Sequence, residues 1–198
     1  RAQRSGGSGL QMSVKQNVIS RDDPPSASRD TPDASVNGFF DRISETYNAK
    51  FDRDRNPFLH HFFHERIRLA LDSCQLDGGT AIDVGAGTGK LFDELRAREI
   101  DARYYGVDIS AGMLRNSRIP AAYQMVGTLA HVRSSLKTTG HVHFFALGVT
   151  TYMKPHDIRA MFSVASEIGG RGSTFTLTFS NRYSVDTAMQ MLLTKFFS

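Results

Sequence analysis

The segment TAIDVGAGTGK, residues 80–90, constrains this chain more than any other. A short apolar stretch runs into three alternating glycines, Gly85, Gly87 and Gly89, and then into Leu91, Phe92 and Leu95 at helical spacing. A strand that turns through glycines into a helix is the opening unit of a nucleotide-binding α/β domain. Four later stretches read as further strands from their β-branched and aromatic content: RYYGVD (103–108), AAYQMV (121–126), HVHFFAL (141–147) and STFTLTF (173–179). Between the last two, Pro155, Ile158, Met161, Phe162, Ala165 and Ile168 predict an amphipathic helix stopped by Gly169-Gly170. Strands alternating with helices imply a Rossmann-like, doubly wound, mostly parallel sheet with helices on both faces. Such sheets bind ligands beyond the carboxyl ends of their strands, near the point where strand order reverses. The first strand and its glycine loop belong there.

Upstream, Phe40, Ile43, Tyr47 and Phe51 recur at helical spacing. Asn56-Pro57 then supplies a cap and a first-turn proline for a second helix, with Leu59, Phe62, Phe63, Ile67 and Leu71 as its apolar stripe. These two segments are expected to form an N-terminal helical lid. Residues 1–35 differ from the rest in being rich in Ser, Gly, Pro, Arg and Asp and poor in large apolar groups. Such a segment cannot offset its ordering entropy by burial, so it reads as a disordered tail or a targeting segment, with Met12 as an internal candidate start. Residues 36–198 form the second unit, ending in a helix marked by Val185, Met189, Leu192, Leu193 and Phe196.

Spacing decides between kinds of nucleotide loop. A phosphate-binding loop needs glycine five residues before Gly89 and Ser or Thr after the lysine; Val84 and Leu91 stand there instead. A dinucleotide fingerprint begun at Gly85 needs glycine or alanine at position 90, where this chain has Lys90, which argues against hydride transfer. The pattern that remains is Asp83-x-Gly85-x-Gly87-x-Gly89. With it the chain resembles the class I S-adenosylmethionine-dependent methyltransferases. YGVDIS (105–110) resembles the family's second motif, an acid closing the second strand, and Asp108 lies 19 residues past Gly89. AGMLRNSR, ALGVTTYMKPHDI and IGGRGSTFTLTF are similar to the segments that follow. The likeness covers residues 38–180.

The resemblance implies S-adenosylmethionine as cofactor and a small molecule as methyl acceptor. It implies that Asp108 accepts hydrogen bonds from both ribose hydroxyls and that Asp83 faces the amino-acid part of the ligand. Gly85, Ala86, Gly87 and Gly89 would bring backbone amides close to the ligand, and Ile109 and Met113 would pack on the adenine. Leu147 closes the fourth strand beside the site, and Tyr47 would cover the ligand from the lid. Two departures stand out. Gly127-Thr128 occupies the place where the family commonly has Gly-Asp near the adenine amino group, which makes Thr128 the candidate contact. The two closing strands of the family's sheet are not recognisable after Phe179, so the chain reads as truncated at its C-terminus.

No catalytic residue is identified. A general base is needed only where the acceptor must lose a proton, and the candidates are Tyr47, His143 and Tyr152. His60, His61 and His64 sit close in sequence, but no acid or thiol accompanies them at ligand spacing, so no metal is expected. Cys74 is alone and cannot form an intrachain disulfide, and no apolar run reaches the ~20 residues of a membrane span. The net charge of +4 comes from bases interspersed with acids, which disfavours nucleic acid as the main substrate. A cytoplasmic location is expected, and the oligomeric state is left open. Two functional classes remain: an enzyme methylating an O, N or C nucleophile, or a binding or regulatory module of the same fold without turnover. A nicotinamide-dependent oxidoreductase is a distant third.

Overall fold

The structure is a computed structural model that describes residues 34–179. The expectations for the N-terminal segment before Ala34 and for the final helix lie outside the described residues. Five strands form one parallel sheet in the order β3-β2-β1-β4-β5: β1 Thr80–Val84, β2 Arg103–Asp108, β3 Gln124–Val126, β4 Val142–Ala146 and β5 Thr174–Leu177. β1 is central and buried along its whole length. The chain runs outward from it through β2 to β3, then crosses back to β4 and β5. The order therefore reverses beside β1, where the glycine loop begins.

Helices cover both faces. α2 (Pro57–Asp72), α3 (Lys90–Ala97) and the short α4 (Ala111–Arg115) pack on one side, through Phe63, Ile67, Leu71, Leu91, Leu95 and Leu114. α5 (Leu129–Val132) and α6 (Pro155–Gly169) cover the other through Leu129, Val132, Met161, Val164 and Ala165. Strand alternation feeds the two layers: Ala81 and Tyr104 join the first, Ile82, Val84, Tyr105 and Val107 the second.

Four local expectations are corrected. The helix through Phe40 and Phe51 is not continuous: α1 spans Ala34–Ile43 and Tyr47–Phe51 is a separate 3-10 turn. Ser44 Oγ donates to Asp41 O (2.9 Å) and Thr46 Oγ1 to Ile43 O (3.3 Å), side-chain bonds that compete with helix propagation at the break. In α2 the buried stripe is Phe63, Ile67, Ala70 and Leu71, whereas Leu59 and Phe62 face outward at 42% and 61% exposure. The third strand is only three residues long, because Ala121–Tyr123 form a 3-10 turn after Pro120. Phe162, placed on the inner face of α6 by its spacing, is exposed, with Val164 buried instead.

Candidate functional site

The glycine loop leaves β1 with φ of +78° at Gly85, +55° at Gly87 and +75° at Gly89, values that favour glycine over any residue with a side chain. Steric room divides their roles. A Cβ on Gly85 would stand 2.6 Å from Val149 Cβ, and one on Gly89 3.0 Å from Ile119 Cγ1. Those two glycines let the loop pack against its own protein. At Gly87 the nearest atom is Met113 Cε, the tip of a flexible side chain, at 3.3 Å. Gly87 is thus the loop position where the missing side chain leaves the surroundings open to adjust.

Asp108 ends β2 beside this loop. Its Oδ2 accepts from Gly87 N and its Oδ1 from Ser110 N, each at 2.8 Å. Burial pushes its carboxyl above the ordinary range even though both amides act to lower it. Ser110 caps α4, accepting from Met113 N at 3.0 Å, and its hydroxyl donates to Asp41 Oδ1 of α1 at 2.6 Å. Gly112 N donates to the same Asp41 oxygen (3.0 Å), and in its satisfied orientation the Asn37 amide reaches Asp41 Oδ2 and Ile109 O. α1 is therefore fastened to the loop after Asp108 through polar groups.

Asp83, four residues into β1, is wholly buried. Tyr104 Oη donates to its Oδ2 at 2.6 Å. Burial drives the Asp83 carboxyl up to about 7; Asp108 adds to the rise, while Tyr104 and the charge of Arg66 oppose it. A cavity opens over this acid, lined by Tyr47, Phe63, Arg66, Ile67, Asp83, the loop Gly85–Thr88, Lys90, Leu91 and Leu147. Tyr47, Asp83, Gly85, Ala86, Gly87 and Leu147, all singled out from sequence, meet there. Asp108 and Met113 border it through their contacts with Gly87.

The remaining candidates lie elsewhere. Gly89 caps α3, and Ile109 lies in the turn between Asp108 and Ser110, its carbonyl facing α1. Thr128 caps α5, accepting from His131 N, and its Oγ1 lies 2.6 Å from His131 Nδ1. Tyr152 is half-exposed and meets Phe40 edge to face at 5.0 Å, while Phe40 and Tyr47 lie 6.2 Å apart. His143 does not line the cavity. It pairs in register with Ala81, two residues before Asp83, and its ring nitrogens contact Thr174 Oγ1 (2.5 Å) and Thr176 Oγ1 (2.8 Å) of β5. Burial lowers its pKa to about 4, so the imidazole is neutral at pH 7. Among the described residues no group of three or more His, Cys, Asp or Glu could hold a metal, and no helix is long and apolar enough to cross a membrane. The rings of His60 and His64 lie 4.3 Å apart, tilted by 41°, and His60 Nδ1 lies 2.9 Å from Phe51 O.

Arg66 is the site residue that sequence reasoning missed. It occupies the helical position between Phe63 and Ile67 on the buried face of α2, where an apolar residue belongs. Once the stripe is assigned to Phe63, Ile67, Ala70 and Leu71, a charged residue on that face is the signal. Thr88 and Asn48 were missed as well: Thr88 Oγ1 donates to Asn48 Oδ1 at 2.8 Å, joining the glycine loop to the 3-10 turn.

Residues 82–141 match the family model of a methyltransferase domain. The fold around that segment is the same as in solved methyltransferases. That segment is similar to a methyltransferase domain. The chain is similar to magnesium protoporphyrin IX methyltransferase from Synechocystis PCC 6803, solved with bound S-adenosylmethionine (17% identity, TM-score 0.54, covering 81% of this chain and 83% of that one). It is similar also to mycolic acid cyclopropane synthase in complex with S-adenosylhomocysteine (17%, TM-score 0.51, 82% and 62%). A third likeness is to phosphoethanolamine N-methyltransferase 1 of Haemonchus contortus (18%, TM-score 0.53, 74% and 32%). No curated protein matches the chain.

Proposed function

We propose that this protein transfers the methyl group of S-adenosylmethionine to an O, N or C nucleophile of a small molecule by in-line displacement. The observation that carries this reading is the cavity at the switch in strand order, with Asp83 and the glycine loop in its wall and Asp108 at its border. The residues fit the donor. In this reading Asp108 accepts from the ribose hydroxyls, and Ile109 and Met113 pack on the adenine. The amides of Gly85 and Ala86 are taken by Val107 O and that of Gly87 by Asp108 Oδ2, so these residues serve by bringing the loop backbone close to the methionine half. Thr128 offers a hydroxyl on the adenine side while also capping α5. Bound there, the donor supplies an already activated methyl group, so alignment and exclusion of water provide much of the rate.

The protein's part is to bind, orient and cover. Tyr47 lies on the lid side of the cavity, and burial raises its pKa, keeping the phenol protonated. The titratable groups lining the cavity are Tyr47, Arg66, Asp83 and Lys90. With no histidine among these lining residues, the arrangement favours an acceptor that does not depend on one as a base. The same observation supports the second reading, a module that binds the nucleotide without turnover.

Calorimetric titration with S-adenosylmethionine, S-adenosylhomocysteine and NADH tests both, with Asp108→Ala as control. Micromolar binding of the sulfur nucleotides, lost in the variant, is the expected result, and an acceptor screen then separates enzyme from module. Binding of NADH alone overturns the proposal.

A further inference from the structure

Lys50 lies on the same 3-10 turn as Tyr47, beside the lid wall of the cavity, and it rests on rings rather than on an acid. Its Nζ is 3.8 Å from the centroid of the Tyr47 ring and 4.8 Å from that of Phe51. Tyr47 lines the cavity, and Phe51 stacks at 4.1 Å on Phe63, another lining residue. At the far end of this stack Arg66 Cζ lies 4.9 Å from the Phe63 centroid. Among the described residues no ion pair includes Lys50. Asp52, the nearest acid in sequence, turns its Oδ1 to the amides of Asp54 and Arg55, each at 3.0 Å. A ring face attracts an ammonium but is a poor hydrogen-bond acceptor, so the three N–H donors of Lys50 stay available to an anion.

Charge and shape together narrow what can enter from this side. Burial, aided by the charge of Arg66, holds the Lys50 ammonium below the ordinary lysine range, which is the mark of two cations without an acid between them. The acids of the site offset them little: Asp83 is raised to about 7 and carries only part of its charge at neutral pH, and both oxygens of Asp108 already accept amides. A positive rim repels an ammonium and draws an anion. Flat apolar surface borders it. Tyr152, in the loop after β4, meets Phe40 of α1 edge to face at 5.0 Å, and Phe40 lies 6.2 Å from Tyr47, so three rings run in series from that loop to the lid. Resting on the methyl-donor reading above, which fills the side of Asp83 and Asp108, we propose that the methyl acceptor is a planar aromatic molecule bearing an anionic group, with its ring against Phe40, Tyr47 and Tyr152 and its anion on Lys50. The flexible four-carbon stem lets the ammonium leave the Tyr47 face to meet that anion. Lys50 is then a specificity residue for the acceptor and has no share in holding the donor.

The test uses the full chain saturated with S-adenosylhomocysteine and three probes of one shape: 2-naphthoate, the neutral 2-naphthamide and the cationic 2-naphthylmethylammonium. Calorimetry should rank them in that order, with the carboxylate ahead of the amide by ~10-fold, the margin of a charge-assisted hydrogen bond. In Lys50→Met that margin should shrink to about twofold or less, with the affinity for S-adenosylhomocysteine unchanged. Tyr152→Ala should weaken all three probes by ~5-fold and keep their order, as expected of a ring that packs on the shared naphthyl body. A carboxylate margin that survives in Lys50→Met overturns the proposal. So does a wild-type protein that binds S-adenosylhomocysteine but ranks the probes otherwise or binds none of them. Loss of S-adenosylhomocysteine affinity in Lys50→Met also overturns it, by making Lys50 part of the donor site. A wild-type protein that does not bind S-adenosylhomocysteine overturns the methyl-donor reading itself, and the acceptor assignment with it.

Discussion

Asp83 and His143 stand on neighbouring strands only two register steps apart, both buried, yet their surroundings differ in kind. His143 has a threonine hydroxyl at each ring nitrogen, and β4 and β5 are stitched together through it. Asp83 has one donor, sits against a cavity, and shares that cavity with Arg66. The histidine pocket is closed chemistry, in which every polar group meets another from the same sheet. The aspartate pocket is left incomplete by the fold, and incompleteness at the carboxyl end of a parallel sheet is where a ligand is accommodated. Sequence placed both residues on strands but could not separate these environments, since each depends on what the adjacent strand presents.

Substitutions at the open end should act on binding and those at the closed end on stability. The largest effect is expected from Asp108→Ala, which removes a carboxylate proposed to accept two ribose hydroxyls. Affinity for S-adenosylhomocysteine should fall by ~100-fold or more in calorimetry, at ~1.4 kcal/mol per factor of ten. Unchanged affinity would break the comparison at its functional side. Gly85→Ala combines a positive φ with a Cβ 2.6 Å from Val149. It should cost about 2–3 kcal/mol in urea unfolding. At the closed end, His143→Leu leaves Thr176 Oγ1 without its imidazole partner. The cost should be about 1–3 kcal/mol, with S-adenosylhomocysteine affinity preserved. A loss of affinity there would show that the two pockets are not separate.

The most diagnostic effect is in pH. In the folded protein the Asp83 carboxyl is raised to about 7, from about 3.9 in an unfolded chain. Its folded form therefore holds the proton more tightly, and its contribution to stability declines as pH rises from about 4 to 7. His143 is lowered to about 4 from about 6.5, so its contribution declines in the opposite direction, as pH falls through that window. The two slopes oppose each other between pH 4 and 6.5. Stability of Asp83→Asn should then fall more steeply on acidification than that of the wild type, and stability of His143→Leu more steeply on raising the pH. Chemical denaturation at half-unit pH steps reads both, and parallel curves for all three proteins would refute the assignment of these two groups.

The sheet was legible because its signals are local. Three of the five residues of TAIDV are apolar, as suits a strand buried along its whole length, and glycines at 85, 87 and 89 announce a turn that their positive φ values favour. Asp108 followed from its distance to that loop. The helices of the lid were harder, because α2 carries large apolar residues on more than one face: Phe58, Leu59 and Phe62 are exposed while Phe63 and Ile67 are buried. That excess moved the expected stripe and hid Arg66 among residues taken as surface. The 3-10 turn that carries Tyr47 was not legible, since the side-chain bonds of Ser44 and Thr46 that end α1 leave no trace in hydrophobic spacing. Thr128 shows the same limit from the other side, as its bond to His131 depends on a one-turn helix that no periodicity reveals.

Ser110 carries a consequence for anyone altering this domain. Through its amide it holds the carboxylate of Asp108, through its hydroxyl it holds Asp41 of α1, and the same oxygen receives the amide of Met113. Three elements are joined at one fully buried residue. Energies measured at Asp41, Asp108 and Met113 will consequently not sum as independent quantities. A substitution in the covering helix is also a substitution in the frame of Asp108, and only combined variants of Ser110 with each partner will divide the effect between them.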